Sequence, residues 1–435
     1  MTSTTLAGRD PAEPPLHWRR IGAWCAYDWA SSAPPAIIIS FVFATYFTEA
    51  VAGDTATGTA LWGNMMSASG IAIAVLAILL GPVADAGAGR KLWLGVFTAL
   101  SIAAGSALWF VMPEPGWIFP ALALAFFVNI GLEISMVFYN AMLPGLAPPR
   151  LLGRLSGWGW GIGYIGAILC LVVALLLVQA DPPPFGLDAG ASETVRLTSV
   201  LASAWFLVFS LPLFLLVREP RHKVDAFRAI ADGVASLSKT VAMLKNHGNT
   251  ALFLLAHMIY RDGLNTMFFF GGVYAAGTFG MEQADILLFG LLIYIAAGIG
   301  AFAFAWLDDR IGGRRTVLIS LCGLLVFGIP LLLIQTQAAF FVLGTGIGVF
   351  FGPVQSASRS LMARLTPPGH EGQMFGLFGL SGKAISPFGP LLVGWVTLAA
   401  GSQRAGMATV MVFFAVGGLL LWFVREPAVG RRVDA

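Results

Sequence analysis

Apolar runs of about 18 residues or more recur along the whole chain, separated by short polar stretches. Each is long enough for a helix to cross the ~30 Å hydrocarbon core of a bilayer. Twelve spans are predicted, at about 24–48, 60–84, 91–112, 117–143, 155–180, 196–217, 249–277, 284–307, 315–335, 338–362, 371–400 and 405–424. The one long polar stretch is 218–248, between the sixth and seventh runs. Within it Phe227, Ile230, Val234, Leu237, Val241 and Leu244 alternate steps of three and four, the spacing of an apolar helical stripe. An amphipathic linker helix on the membrane surface is expected there.

Composition agrees with the pattern. Of 435 residues, 57% are hydrophobic and 11% charged, whereas soluble domains carry about 25% charged residues. The expected fold class is an all-α integral membrane protein. A net charge of +3 says little by itself; the placement of Lys and Arg decides orientation. With the N-terminus in the cytoplasm, all but four of the 25 Lys and Arg fall in cytoplasmic segments. Arg196 and Arg404 lie on the far side, and Arg261 and Lys383 lie within the membrane. A miscounted span would scramble this asymmetry. The expectation is a multi-pass protein of the inner (cell) membrane with both termini cytoplasmic. The first apolar run is too long for a cleavable signal peptide. Cys25, Cys170 and Cys322 form no spaced cluster, so no metal site or disulfide framework is expected.

The two halves echo each other. The stretch 81-GPVADAGAGRK-91 follows the second span and 305-AWLDDRIGGRR-315 follows the eighth, with Asp85 and Asp309 224 residues apart. VREP closes the sixth span at 217–220 and the twelfth at 424–427. Parallel six-plus-six repeats imply two six-helix bundles around a central cavity. The expected domains are a bundle at 1–217, the linker at 218–248 and a second bundle at 249–435.

Gly81, Asp85, Gly89, Arg90 and Lys91 resemble the loop signature of the major facilitator superfamily. Its glycines permit a tight turn. Its acid can pair with a base or a helix N-terminus, locking one side until the bundles rock. Asp85, Arg90, Lys91, Asp309, Arg314 and Arg315 are therefore gating candidates. Further motifs, 27-YDWASSA-33, 138-FYNAMLP-144, 260-YRDGLNTMFFFGGVYAAGTFG-280, 355-QSASRSLMARLTP-367 and 375-FGLFGLSGKAISPFGP-390, resemble the unknown major facilitator family. That family is related to the autophagy-linked vacuolar amino-acid effluxers of fungi. The resemblance covers about 21–427, with Ser31 standing where the family typically has Asn. It implies an effluxer of amino acids or other small polar solutes.

Charged residues inside a bilayer are costly and usually functional. Arg261, Asp262, Glu133 and Lys383 share roughly one depth near the midplane, where substrate sites of such carriers lie. Asn129, Glu133, Met136 and Asn140 step by four, three and four along one face of the fourth span. Glu133 is a proton-coupling candidate, as a carboxyl held between burial and a nearby cation; a permanent ion pair with Lys383 or Arg261 is the alternative. Asp262 is a second coupling candidate, or holds a neighbouring helix or pairs with Lys383. Arg261 and Lys383 are candidates for a carboxylate partner, Arg for its two-pronged fork, with Asn265, Asn129 and Asn140 as further substrate contacts. Asp28 lies near the cytoplasmic face beside Trp24, Tyr27 and Trp29 and reads as a gate contact. Arg359 pairs with Asp28 or Asp309, or is structural. The glycines of 157-GWGWGIGYIG-166 allow close helix approach rather than a phosphate cradle.

The expected function is secondary transport, exporting amino acids or similar zwitterions by alternating access with proton coupling. The alternatives are the same fold with another cargo (sugar, drug or other metabolite), or a non-transporting sensor or lipid-handling protein. No enzyme motif and no Walker loop is found, so no catalysis and no cofactor are expected. The partners expected are a small solute, protons or another coupling ion, and the lipid bilayer. No nucleic acid is expected, and the chain is expected to work as a monomer.

Overall fold

In hydrocarbon every backbone amide must find its partner within the protein, so apolar spans fold as helices. The computed structural model describes residues 16–427 except 86–88, 189, 218–246, 282 and 384–387. Among the described residues the long elements are α1 (Trp18–Val51), α2 (Thr55–Asp85), α3 (Arg90–Ala107), α4 (Ile118–Met142), α5 (Leu152–Gln179) and α6 (Glu193–Leu216). They continue as α7 (Gly248–Phe279), α8 (Gln283–Ile311), α9 (Gly313–Leu331), α10 (Gln337–Leu365), α11 and α12 (Gln403–Trp422). The eleventh comes in two pieces, α11a (Glu371–Ser381) and α11b (Phe388–Ala400).

Ten of these are long and apolar enough to cross a membrane. The other two are α7, which carries Arg261 and Asp262, and the divided α11. In α7 polar residues lower the mean hydropathy, and the two pieces of α11 are each too short to count. The sequence predicts an unbroken eleventh span; the structure instead ends α11a at Ser381, before the Gly382-Lys383 turn. The linker expected at 218–248 lies almost wholly outside the described residues.

α1 is irregular after Pro34-Pro35, with π-helical turns at Pro35–Phe41 and Phe47–Val51. Proline supplies no amide donor, and the ladder widens there: Val42 N–H donates to the Ile37 carbonyl at 3.1 Å.

In the first half, α1 packs on α5 and α6, α3 on α4 and α6, and α2 on α4. In the second, α7 packs on α12, α8 on α10, α9 on α10 and α12, and α11b on α12. The halves meet where α5 crosses α8 and α10, and where α2 and α4 cross α11a. Glycines make these crossings close. Gly153, Gly157 and Gly161 present one stripe of α5 to α8; a Cβ on Gly157 would stand 2.4 Å from the Ala305 Cβ. Gly159, Gly163 and Gly166 present another stripe to α1. Two glycine faces on one helix thus serve two neighbours. Large apolar side chains such as Phe119, Leu215, Leu333 and Leu398 stud the outside, as suits a surface meeting lipid.

One end of the bundle carries most of the described Lys and Arg, including Arg19, Arg20, Arg90, Lys91, Arg150, Arg154, Arg310 and Arg314. It is called the basic end below.

Candidate functional site

About halfway along the helices, α4 and the α11 break face each other across the two halves. Lys383 Nζ meets Glu133 Oε1 at 2.9 Å, with 24% and 38% of the two side chains exposed. Such exposure at that depth marks a wettable space between the bundles. Beside the pair, Arg261 of α7 donates to Gln355 of α10. Gln355 Nε2 donates to the Tyr164 hydroxyl of α5 at 3.0 Å, closing a chain across the halves. Asn265 Nδ2 reaches the Gly382 carbonyl at 3.5 Å, and His257 Nδ1 lies 2.7 Å from Ser381 Oγ. Two turns beyond Arg261, Phe268 meets Tyr294 and Phe351, and Tyr294 also meets Tyr164 and Phe41. An aromatic layer therefore covers the side of the polar set away from the basic end. The arrangement offers two cations, one accessible carboxylate and flat apolar walls.

Toward the basic end a second set is dry. Arg359 of α10 meets Asp28 of α1 at 3.0 Å, with only 3% and 7% of the side chains exposed. Arg359 Nε donates to Ser156 Oγ at 2.8 Å and Nη2 to the Ser156 carbonyl at 2.7 Å. Its guanidinium lies 4.8 Å from the centre of the Trp24 ring, with Tyr139 and Trp160 also close. A charge taken out of water is tolerated when its protons are bonded this fully. Nearby, Arg364 meets Asp308 at 2.5 Å and Glu426 at 3.1 Å, and Ser360 donates to Asp308. Glu426 also accepts the Gly313 and Arg314 amides at 2.8 Å each, capping the positive end of α9. Arg154 of α5 meets Asp309 of α8 at 3.2 Å, and Arg90 of α3 meets Glu371 of α11a at 3.0 Å. Among the described residues, every cross-half ion pair lies toward the basic end or at the midplane. The basic end is the closed end.

A family model described as "Vacuole effluxer Atg22 like" matches residues 50–431. The chain belongs to the Atg22-like family. It is 26% identical over 419 residues to an uncharacterized MFS-type transporter, YxiO of Bacillus subtilis (strain 168), covering 93% of this chain and 94% of that protein. It is 28% identical over 300 residues to autophagy-related protein 22-1 of Penicillium rubens, covering 62% of this chain and 49% of the fungal one. Among solved structures it resembles the proton:xylose symporter XylE with bound 6-bromo-6-deoxy-D-glucose, at TM-score 0.72 and 15% identity over 95% of this chain and 97% of that one. It also resembles the human organic anion transporter MFSD10, at TM-score 0.72 and 15% identity over 94% and 100%. A bacterial homologue of ferroportin in an outward-facing state gives 0.69 and 14% over 93% and 98%. The fold is that of the major facilitators: twelve transmembrane helices in two six-helix bundles around a central cavity. This Atg22-like chain is a multi-pass membrane transporter of small solutes.

The predicted site residues of this Atg22-like carrier separate on the structure. Glu133, Lys383, Arg261 and Asn265 come together at the midplane. Asn129 does not: it is buried within the first half and donates to Ser69 Oγ at 2.7 Å. Asn140 lies a level lower, accepting from Arg359 Nη1 at 3.3 Å. The predicted α4 stripe thus splits into packing, midplane and basic-end positions. Asp262 turns away from both Lys383 and Arg261 and accepts from the Gly389 amide at 2.9 Å. Asp28 takes Arg359, and Asp309 takes Arg154. Of the other gating candidates, Arg90 crosses to α11a, whereas Lys91 donates to the Val217 carbonyl and Arg314 to that of Trp422, each in its own half. Arg315 is exposed, and the side chain of Asp85 lies outside the described residues. Sequence reasoning passed over Gln355, Tyr164, His257, Asp308, Arg364, Glu371 and Glu426 as site residues. Two of these carried a signal: Asp308 adjoins Asp309 in the repeated loop, and Glu426 belongs to the repeated VREP.

Proposed function

We propose that this carrier exports amino acids or similar small zwitterions by alternating access, coupled to protons. It works as a monomer in the cell membrane, with the basic end and both termini in the cytoplasm. The Glu133–Lys383 pair, bridging the halves beside Arg261, carries this reading. A zwitterion brings one charge of each sign. Its ammonium replaces Lys383 at Glu133, and its carboxylate takes Lys383 or the Arg261 fork. When the carboxylate takes Lys383, both members of the pair keep a partner, so cargo enters without leaving either of them bare. A proton on Glu133 achieves half of that exchange, releasing Lys383, and this supplies the coupling step. The effluxer description of the family and the Lys and Arg asymmetry support the direction and the orientation. In that orientation the ion-paired basic end is the cytoplasmic one.

A second reading follows from the charge count. Arg261 meets neutral Gln355, so two cations face one accessible carboxylate, which also suits an organic anion. Counterflow in proteoliposomes separates the two. Vesicles preloaded with mixed amino acids should take up labelled amino acids saturably, and Arg261→Ala should abolish the uptake. Equal competition by carboxylates lacking an amino group would favour the anion reading. Absence of counterflow for every amino acid, in folded protein, would exclude the zwitterion reading.

A further inference from the structure

The one carboxylate of α7, Asp262, is not part of the Glu133–Lys383 exchange, and its surroundings are unusual. Asp262 is 1% exposed and Thr266, one turn on, is 0% exposed. Asp262 Oδ2 accepts the Gly389 amide at 2.9 Å. Oδ1 has no hydrogen-bond partner, and neither has the Thr266 hydroxyl. Both side chains crowd Gly389: a Cβ there would stand 2.0 Å from Thr266 Oγ1 and 3.1 Å from Asp262 Oδ2. Only glycine fits the cradle.

Among the described residues, no base compensates this carboxylate. Arg261 on the same helix is turned to Gln355, and His257 to Ser381. Lys383 of the α11 turn is taken by Glu133. Tyr260 shares a hydrogen bond with Ser358 of α10. From α12, Phe413 and Phe414 close around Gly263, and Phe388 of α11b packs on Phe413. An ionised carboxylate with one amide for company in such a setting is costly. A proton on Oδ1 removes the charge.

We propose that Asp262 is a proton-binding site whose occupancy sets how firmly α7 holds α11b. Ionised, Asp262 acts as a cap on the positive N-terminus of α11b. Protonated, it holds the Gly389 amide more weakly. The consequence reaches the cargo pair because α7 holds both pieces of α11, at Ser381 and Gly382 beside Lys383 and again at Gly389. Proton occupancy at Asp262 therefore biases the segment that carries Lys383. This rests on the transport reading for its purpose, but not for its detection.

Infrared difference spectra of the membrane-reconstituted protein, taken across pH without cargo, test it. The wild type should show the carbonyl stretch of an un-ionised carboxyl that disappears in Asp262→Asn and persists in Glu133→Gln. Hydrogen exchange of the first α11b amides should quicken on acidification in the wild type and lose that pH dependence in Asp262→Asn. Absence of the band in folded wild type, or its survival in Asp262→Asn, overturns the proposal. So does a band erased at constant pH by Na⁺, which would make the site one for a metal cation. Should the band behave as expected while counterflow fails for all amino acids, the proton site stands and the cargo reading falls.

Discussion

Two cross-half ion pairs in this carrier, Arg359–Asp28 and Lys383–Glu133, differ in everything but charge. The first is almost sealed, carries further bonds to Ser156 and lies under the Trp24 ring. The second has a quarter or more of each side chain open. A dry pair with every proton committed resists exchange and holds a state, since separating it strands charges in a low dielectric. A wettable pair with few other bonds exchanges partners at little cost, which is what a cargo site needs. Sequence-level charge alone does not separate the two; the water around them does.

The comparison is open to attack at several points. The largest effect is expected from Arg359→Ala, which leaves Asp28 buried and unpaired; loss of one partner of a buried pair costs about 3–5 kcal/mol. Thermal unfolding should fall sharply, and cysteines placed at the basic end should become reactive. Unchanged stability would show that the set is not dry. Next comes Gly159→Ala. Its Cβ would stand 2.1 Å from Asp28 Oδ2 and 2.7 Å from Arg359 Nη2, and overpacking of this kind costs about 1–3 kcal/mol. Gly63→Ala, with nothing within 4 Å of the added atom, is the matched control and should unfold like the wild type.

Lys383→Ala should do the reverse: transport efficiency falls about tenfold or more, equivalent to ~1.4 kcal/mol at the transition state, while the unfolding temperature hardly moves. A double-mutant cycle with Glu133→Gln should then return a stability coupling of about 0–1 kcal/mol. A coupling several times larger would make that pair structural. The smallest effect belongs to Glu371→Gln. Its bond to Arg90 sits near the surface of the basic end and is worth at most about 1 kcal/mol, so a modest, salt-sensitive shift in unfolding is expected.

The fold was largely legible, for a clear reason. Spanning helices must be long and apolar, so their number shows in hydropathy, and α7 at Gly248–Phe279 falls within two residues of its predicted run. The division of α11 was harder. Gly, Ser and Pro around Lys383 mark a softened helix, but not where it stops. The site was half legible. Glu133, Lys383 and Arg261 stood out because charge at that depth is rare. Gln355 and Tyr164 did not, since neutral polar residues in spans serve packing as readily as function.

What the sequence determined by itself is whatever depends on local spacing and on the solvent: the spans, the six-plus-six repeat, the end rich in Lys and Arg, and the presence of charges at mid-depth. Only the tertiary structure decided which charges meet. Asp262 stands beside Arg261 in sequence, yet one turns to the Gly389 amide and the other to Gln355. Asp28 and Arg359 are 331 residues apart and share a bond. Neighbours on a helix point about 100° apart, so adjacency in the chain separates side chains in space. The crossing of helices, set by where glycines let backbones approach, brings the distant ones together.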